Sequence, residues 1–269
     1  MFDLGRSRVL RRFYRRFERL QPLLREVNSL LLARDLPTFS GWQMTTWHQL
    51  PWVEGWEAFH CASEEVRGFE RTHADAGDNV DSLMWRHWNI AFSVQHAARN
   101  TSGDELTAAE CGVGDGLTAH FAMKQALAED IDKVELHLFD AWTAMRPEDL
   151  TEVEKPVAGS YAELSLERTR RNLTDNAAHL RWHPGLIPET LDETAPRSVS
   201  WLHIDLNSAA ATTAALEFFW PRLQAGGVIV FDDYGWTFFD ETRVTVNEFF
   251  ASRPGTLLPL PTGQAFYFR

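Results

Sequence analysis

The chain has 269 residues, 44% hydrophobic and 24% charged, the make-up of a globular protein long enough for one extended core. No apolar run reaches the roughly 18 residues a membrane helix needs, and two cysteines, Cys61 and Cys111, supply neither a disulfide framework nor zinc-type cysteine pairs; a reducing, cytoplasmic setting is the simpler reading. Twenty-six basic against 38 acidic residues leave a formal charge of −12, which argues against nucleic acid as a general partner.

The charge is unevenly spread. Residues 1–34 hold nine arginines and three acids, a net +6, which leaves −18 on residues 35–269. Leu10, Phe13, Phe17, Leu20, Leu24, Val27 and Leu31 recur at spacings of three and four, so this basic arm reads as an amphipathic helix with one apolar stripe. The stripe suits a homo-oligomer seam, a packing face on the same chain, or an anionic lipid surface. Its interleaved arginines do not make a secretory signal. Residues 35–104 read as a helical and irregular cap region. Trp42, Trp47, Trp52 and Trp56 lie among Pro37, Gly41, Pro51 and Gly55, and indoles there suit either a buried wrap or a substrate lid. Within the cap, residues 80–99 read as a helix with Val80, Leu83, Met84, Ile90, Val94 and Ala97 on an apolar side. Arg86 and His87 interrupt it.

From residue 105 onward strands and helices alternate, the pattern of an α/β domain with a parallel sheet covered on both faces. The spacing predicts strands at 106–111, 134–139, 179–183, 199–204 and 228–231, and a terminal hairpin at 256–260 and 265–268. Helices are predicted over 117–129, 161–175, 208–224 and 242–252, with Gly226-Gly227 read as the C-cap of the third. Ligands of such sheets bind beyond the carboxyl ends of the strands. Acids close four of the five: Glu110, Asp140, Asp205 and the pair Asp232-Asp233.

After Glu110 comes Cys111-Gly112-Val113-Gly114-Asp115-Gly116, a G-x-G-x-G turn. A dinucleotide fingerprint would place its third glycine one residue later, and Glu110 and Asp115 would repel a pyrophosphate. A nucleoside with a cationic tail fits better, with Asp140 accepting its ribose hydroxyls. S-adenosylmethionine is such a molecule. An NAD-dependent oxidoreductase is the disfavoured enzyme alternative. Asp205, Asp232 and Asp233 would be brought together by neighbouring strands. Crowded carboxylates call for a counter-cation, and a hard divalent ion such as Mg²⁺ suits oxygen ligands; the plain alternative is that Asp232 and Asp233 cap a turn.

Ile204-Asp205, the stretch Gly226-Gly227-Val228-Ile229-Val230-Phe231-Asp232-Asp233-Tyr234-Gly235, and Leu260-Pro261-Thr262-Gly263-Gln264 resemble class I S-adenosylmethionine-dependent methyltransferases. They are similar in particular to the macrocin O-methyltransferase group, metal-dependent and acting on antibiotic sugars. The resemblance covers roughly residues 80–269. It implies a Rossmann-like seven-stranded sheet with an antiparallel last strand, and an O-methyltransferase acting on a small hydroxylated molecule such as a sugar or phenol. It also implies cofactor contacts at Gly112, Gly114 and Asp140, to which the strand-end acid Glu110 is added as a candidate for the cationic end, and Mg²⁺ on Asp205, Asp232 and Asp233, with Asp205 at the catalytic centre. Where relatives carry a second acid this chain has Asn207, which cannot take a proton. His203 and His183 are the alternative bases. A non-catalytic cofactor-binding scaffold is the alternative from another class.

Overall fold

The computed structural model describes residues 80–269, apart from 104, 130 and 236–238, with the side chains of 80–85 also left undescribed. The basic arm and the tryptophan-rich stretch up to residue 79 lie outside the described residues. No described helix is long and apolar enough to cross a membrane.

The elements run α1 (Val80–Asn100), β1 (Glu105–Cys111), α2 (Leu117–Ala128), β2 (Lys133–Asp140), α3 (Leu166–Asn172), β3 (Leu180–Pro184), β4 (Val199–Ile204), α4 (Ala209–Phe219), β5 (Leu223–Phe231), α5 (Asp240–Phe250), β6 (Thr256–Pro259) and β7 (Ala265–Phe268), with short 3₁₀ turns between. The strands form one seven-stranded sheet in the order β3-β2-β1-β4-β5-β7-β6. β1 to β5 are parallel, while β7 runs antiparallel to both β5 and β6. This is the class I methyltransferase fold expected from the sequence.

Strand side chains alternate between faces, and the burial follows. Val228 and Val230 join one apolar layer with α1 and α2 through Ile90, Val94, Phe121 and Met123. Ile229 and Phe231 point the other way, into a second layer with Leu216 and Phe219 of α4 and Phe250 of α5. A sheet covered on both faces needs apolar residues at successive positions, which is why the strands read as continuous hydrophobic runs. Trp201 of β4 is fully buried and donates its indole N–H to Ser93 Oγ of α1 at 2.8 Å. That bond satisfies the one polar atom of a large core side chain.

Two sequence expectations are corrected. Gly226-Gly227 does not cap a helix. Pro221 opens a 3₁₀ turn, Trp220–Arg222, that ends α4 at Phe219, and the glycines lie inside β5. Gly226 has φ +81°, and a Cβ there would sit 2.1 Å from the Asn100 carbonyl oxygen. Glycine is required because α1 ends against the strand at this point. The helix expected over 161–175 is also shorter. Ser165 caps α3, accepting from the Arg168 N–H, and Tyr161 stands outside it with φ 67°.

Candidate active site

The strand order reverses between β1 and β4, so the loops leaving these two strands part and a cleft opens at their carboxyl ends. Gly112 begins the turn after β1. Its N–H donates to the Phe139 carbonyl at 2.9 Å, and the next strand over is tied by Asp205 N–H to the Cys111 carbonyl at 2.8 Å. The glycine turn is therefore pinned between β2 and β4. Gly112 has φ +87°, and a Cβ would lie 1.8 Å from the Asp205 carbonyl oxygen, whereas a Cβ on Gly114, φ +55°, would meet nothing within 4 Å. The first glycine serves backbone packing. The second leaves its side open.

Asp140 latches the turn. Its Oδ2 accepts from the N–H groups of Val113 at 2.7 Å and Gly114 at 2.9 Å, and its Oδ1 accepts from Trp142 N–H at 2.5 Å. A carboxylate has about four acceptor positions, so one remains for a ligand hydroxyl. α3 braces the turn from outside. Arg168 makes a two-pronged pair with Asp115 at 2.7 and 3.0 Å, Asn172 donates to the Asp115 carbonyl at 2.9 Å, and Thr169 donates to the Gly114 carbonyl at 2.6 Å. Asp115 is thus paired with a guanidinium. The repulsion of phosphate expected from it is offset, and the case for a cationic ligand rests on Glu110.

Glu110 is fully buried, and neither carboxyl oxygen has a hydrogen-bond partner among the described residues. Burial, with the charges of Asp205 and Asp140 behind it, holds its carboxyl well above the usual range. An unsatisfied buried acid at a cleft wall fits a cationic or hydrogen-donating ligand. The cleft holds about 600 Å³, and its lining includes Glu110, Gly114 and Asp140 together with Met145, Leu150 and Ile187. That volume suits a nucleoside-sized molecule.

A second cavity of about 390 Å³ lies alongside, lined by Arg86, His87, Asp205, Asp232, Asp233 and Gln264. Asp205, Asn207 and Tyr161 line both cavities. The acids here are tightly held. Burial pushes the Asp205 carboxyl well up, and the neighbouring Asp233 charge pushes it further. Asp233 is also raised by burial, but Arg86 and hydrogen bonds from Asp205 and Asn207 counter the rise. Asp205 and Asp233 face each other through a side-chain hydrogen bond. The Asn207 amide donates to Asp233 Oδ2, and Tyr161 O–H donates to Asn207 Oδ1 at 2.7 Å. Asp232 Oδ1 accepts from the Gln264 amide at 2.7 Å, its Oδ2 pairs with the Arg86 guanidinium, and its backbone carbonyl accepts from Arg86 at 3.2 Å.

The ligating atoms of His203, Asp205 and Asp232 lie within 4.8 Å of one another. The structure thus joins His203 to two of the three acids expected to hold a metal, while Asp233 is engaged with Asn207 and Asp205. His203 is completely buried, 3.4 Å from Glu110 and 3.6 Å from Asp232, and burial drops its imidazole to about 3. His183 is not brought into this cluster. It bonds His137 at 2.9 Å and stacks on Phe139. Sequence reading passed over Arg86 and Tyr161. Arg86 left a signal, a charged residue breaking an apolar helix face. Tyr161 left none.

Residues 109–234 match Methyltransf_24, a methyltransferase domain family. The chain contains a class I methyltransferase domain. It is an S-adenosylmethionine-dependent enzyme whose fold is shared with solved methyltransferases of low sequence identity. The O-methyltransferase NovP is 22% identical, with a TM-score of 0.60 over 69% of this chain and 80% of NovP. The calicheamicin methyltransferase CalS11 is 14% identical, with a TM-score of 0.55 over 86% of this chain and 99% of CalS11. No curated protein sequence matches the chain.

Proposed function

We propose that this methyltransferase moves the methyl group of S-adenosylmethionine to a hydroxyl of a small molecule, a sugar or a phenol. The observation that carries the reading is the junction of the two cavities at Asp205, Asn207 and Tyr161. It separates an apolar, nucleoside-sized cleft from an acid-lined chamber. The descriptions of NovP as an O-methyltransferase and of CalS11 as a calicheamicin methyltransferase are in keeping with it.

In this reading Glu110, buried with no hydrogen-bond partner among the described residues, faces the cationic amino-acid end of the donor. The open side of Gly114 admits the donor's backbone, and the free acceptor position of Asp140 takes a ribose hydroxyl. The acceptor occupies the second cavity. Its oxygen forms the new C–O bond as the C–S bond breaks, leaving S-adenosylhomocysteine as a neutral thioether. The hydroxyl proton passes to the Asp205–Asp233 pair, the acid group lining that cavity. Asn207 and Tyr161 hold Asp233 in place by hydrogen bonds and transfer no proton themselves.

The same acids suit a divalent ion. Three carboxyl groups line this cavity against one guanidinium, that of Arg86, and crowded carboxylates call for a counter-cation. Mg²⁺ held by Asp205, Asp232 and Asp233, with His203 adjoining, would lower the pKa of an acceptor hydroxyl and orient its oxygen. Label from [methyl-¹⁴C]-S-adenosylmethionine is therefore expected in hydroxylated acceptors. Transfer should fall by about tenfold or more with EDTA and return with Mg²⁺. Transfer only to amines would overturn the hydroxyl assignment, and transfer indifferent to EDTA would remove the ion.

A further inference from the structure

The acid cluster already contains a cation. The Arg86 guanidinium pairs with Asp232 Oδ2 and donates to the Asp232 backbone carbonyl at 3.2 Å, while Gln264 fills Asp232 Oδ1 at 2.7 Å. Asn89 donates to Gln264 Oε1 at 2.8 Å, which fixes the orientation of that amide. Both oxygens of Asp232 are thus taken by groups from α1 and from the turn before β7. Beside them, His203 is fully buried with neither ring nitrogen hydrogen-bonded among the described residues, and its ligating atom converges with those of Asp205 and Asp232. Its Nδ1 lies 3.4 Å from Glu110 and its Nε2 3.6 Å from Asp232, so the imidazole stands within the same group of acids.

We infer that Arg86 is a built-in counter-cation that competes with a divalent ion for Asp232, so that the ion engages Asp232 only as Arg86 leaves. The inference rests on the metal part of the function proposed above. Charge sets the two cations against each other: a guanidinium paired with Asp232 and a divalent ion on the same carboxylate repel strongly in a site this buried. Arg86 sits on the cavity wall next to His87, so a guanidinium released from Asp232 faces the chamber assigned to the acceptor. The enzyme then has two states: a closed one in which Arg86 neutralises the acids, and a metal-bound one in which Arg86 is available to the acceptor. The carboxylates do not have to be left unpaired in either.

The test is titration of the full-length protein with Mn²⁺, followed by calorimetry and by the electron paramagnetic resonance signal of free Mn²⁺; Mn²⁺ accepts imidazole and carboxylate ligands together. Arg86→Met removes the charge and keeps much of the stem, and it is expected to bind Mn²⁺ about tenfold or more tightly than the wild type. Arg86→Lys should stay near the wild type. Adding Asp232→Asn to Arg86→Met should abolish the gain, and unchanged binding of S-adenosylhomocysteine in each variant reports that the donor cleft remains folded. Equal Mn²⁺ affinity in wild type and Arg86→Met would overturn the inference while leaving the metal reading intact. Absence of Mn²⁺ binding in both would overturn the metal reading and this inference with it.

Discussion

Replacing Asp140 with alanine is expected to abolish binding of S-adenosylhomocysteine and to destabilise the domain by about 2–4 kcal/mol. One carboxylate accepts three backbone N–H groups, from Val113, Gly114 and Trp142. Val113 and Trp142 are buried, so their N–H groups have little access to replacement water, and each lost charge-assisted bond costs on the order of 1 kcal/mol. For a domain of this size the loss corresponds to a fall in melting temperature of roughly 5–12 °C. Asp140→Asn separates the two roles. Its carbonyl oxygen can still accept from the glycine turn, so about half of the stability should return. The amide nitrogen cannot accept a ribose hydroxyl, and binding should stay weak. Thermal unfolding and calorimetry on the two variants check this. Full binding by Asp140→Ala would remove Asp140 from the donor site.

The second large effect is at the glycine turn, where two neighbouring glycines should behave oppositely. Gly112→Ala places a methyl group 1.8 Å from the Asp205 carbonyl oxygen in a residue with φ +87°. The backbone cannot step aside, because Gly112 is bonded to Phe139 and Asp205 to Cys111 across the sheet. The combined clash and left-handed strain should cost about 3–5 kcal/mol and show as a lower melting temperature or insoluble protein. Gly114→Ala meets no atom within 4 Å. It should cost only about 1 kcal/mol in stability yet weaken S-adenosylhomocysteine binding, since its methyl group would project into the open side of the cleft. Equal stability loss in the two variants would contradict the division of labour between them.

Much of this architecture is legible in the sequence because it is local. A strand buried on both faces writes a continuous apolar run, and the residue that closes it is the next one along. Glu110, Asp140, Asp205 and Asp232-Asp233 are found that way, and parallel pairing of β1, β2, β4 and β5 then brings them to one edge. What the sequence hides is set by contacts between distant segments. Arg86 meets Asp232 across 146 positions, and no spacing rule connects them. Gly226-Gly227 follows a helical stretch and looks like a cap, but the deciding contact is with Asn100. Asp115 reads as an unpaired acid in the glycine turn until α3 brings Arg168 to it. Tyr161 acquires its place through a positive φ and a bond to Asn207, neither of which a single aromatic residue in a polar stretch announces.

The site's logic is a division between two cavities that share a wall. The wall carries Asp205, Asn207 and Tyr161, with non-glycine residues in the left-handed region at Tyr161 and Asn207, and a third nearby at Trp142. Such conformations cost on the order of 1–3 kcal/mol each and persist where the surroundings over-determine them. Here the hydrogen-bonded chain Tyr161–Asn207–Asp233 and the Trp142 indole bonds to Gly114 and Thr169 do so. The strain lies where donor and acceptor are expected to meet.

The most direct measurement is a calorimetric titration of the folded full-length protein with S-adenosylhomocysteine, in wild type and in Glu110→Ala. The wild type is expected to bind one molecule per chain, and loss of the buried Glu110 carboxyl should weaken binding by about tenfold or more. No binding by the wild type, or equal binding by the two proteins, would contradict the assignment of the Glu110–Gly114–Asp140 cleft as the donor site.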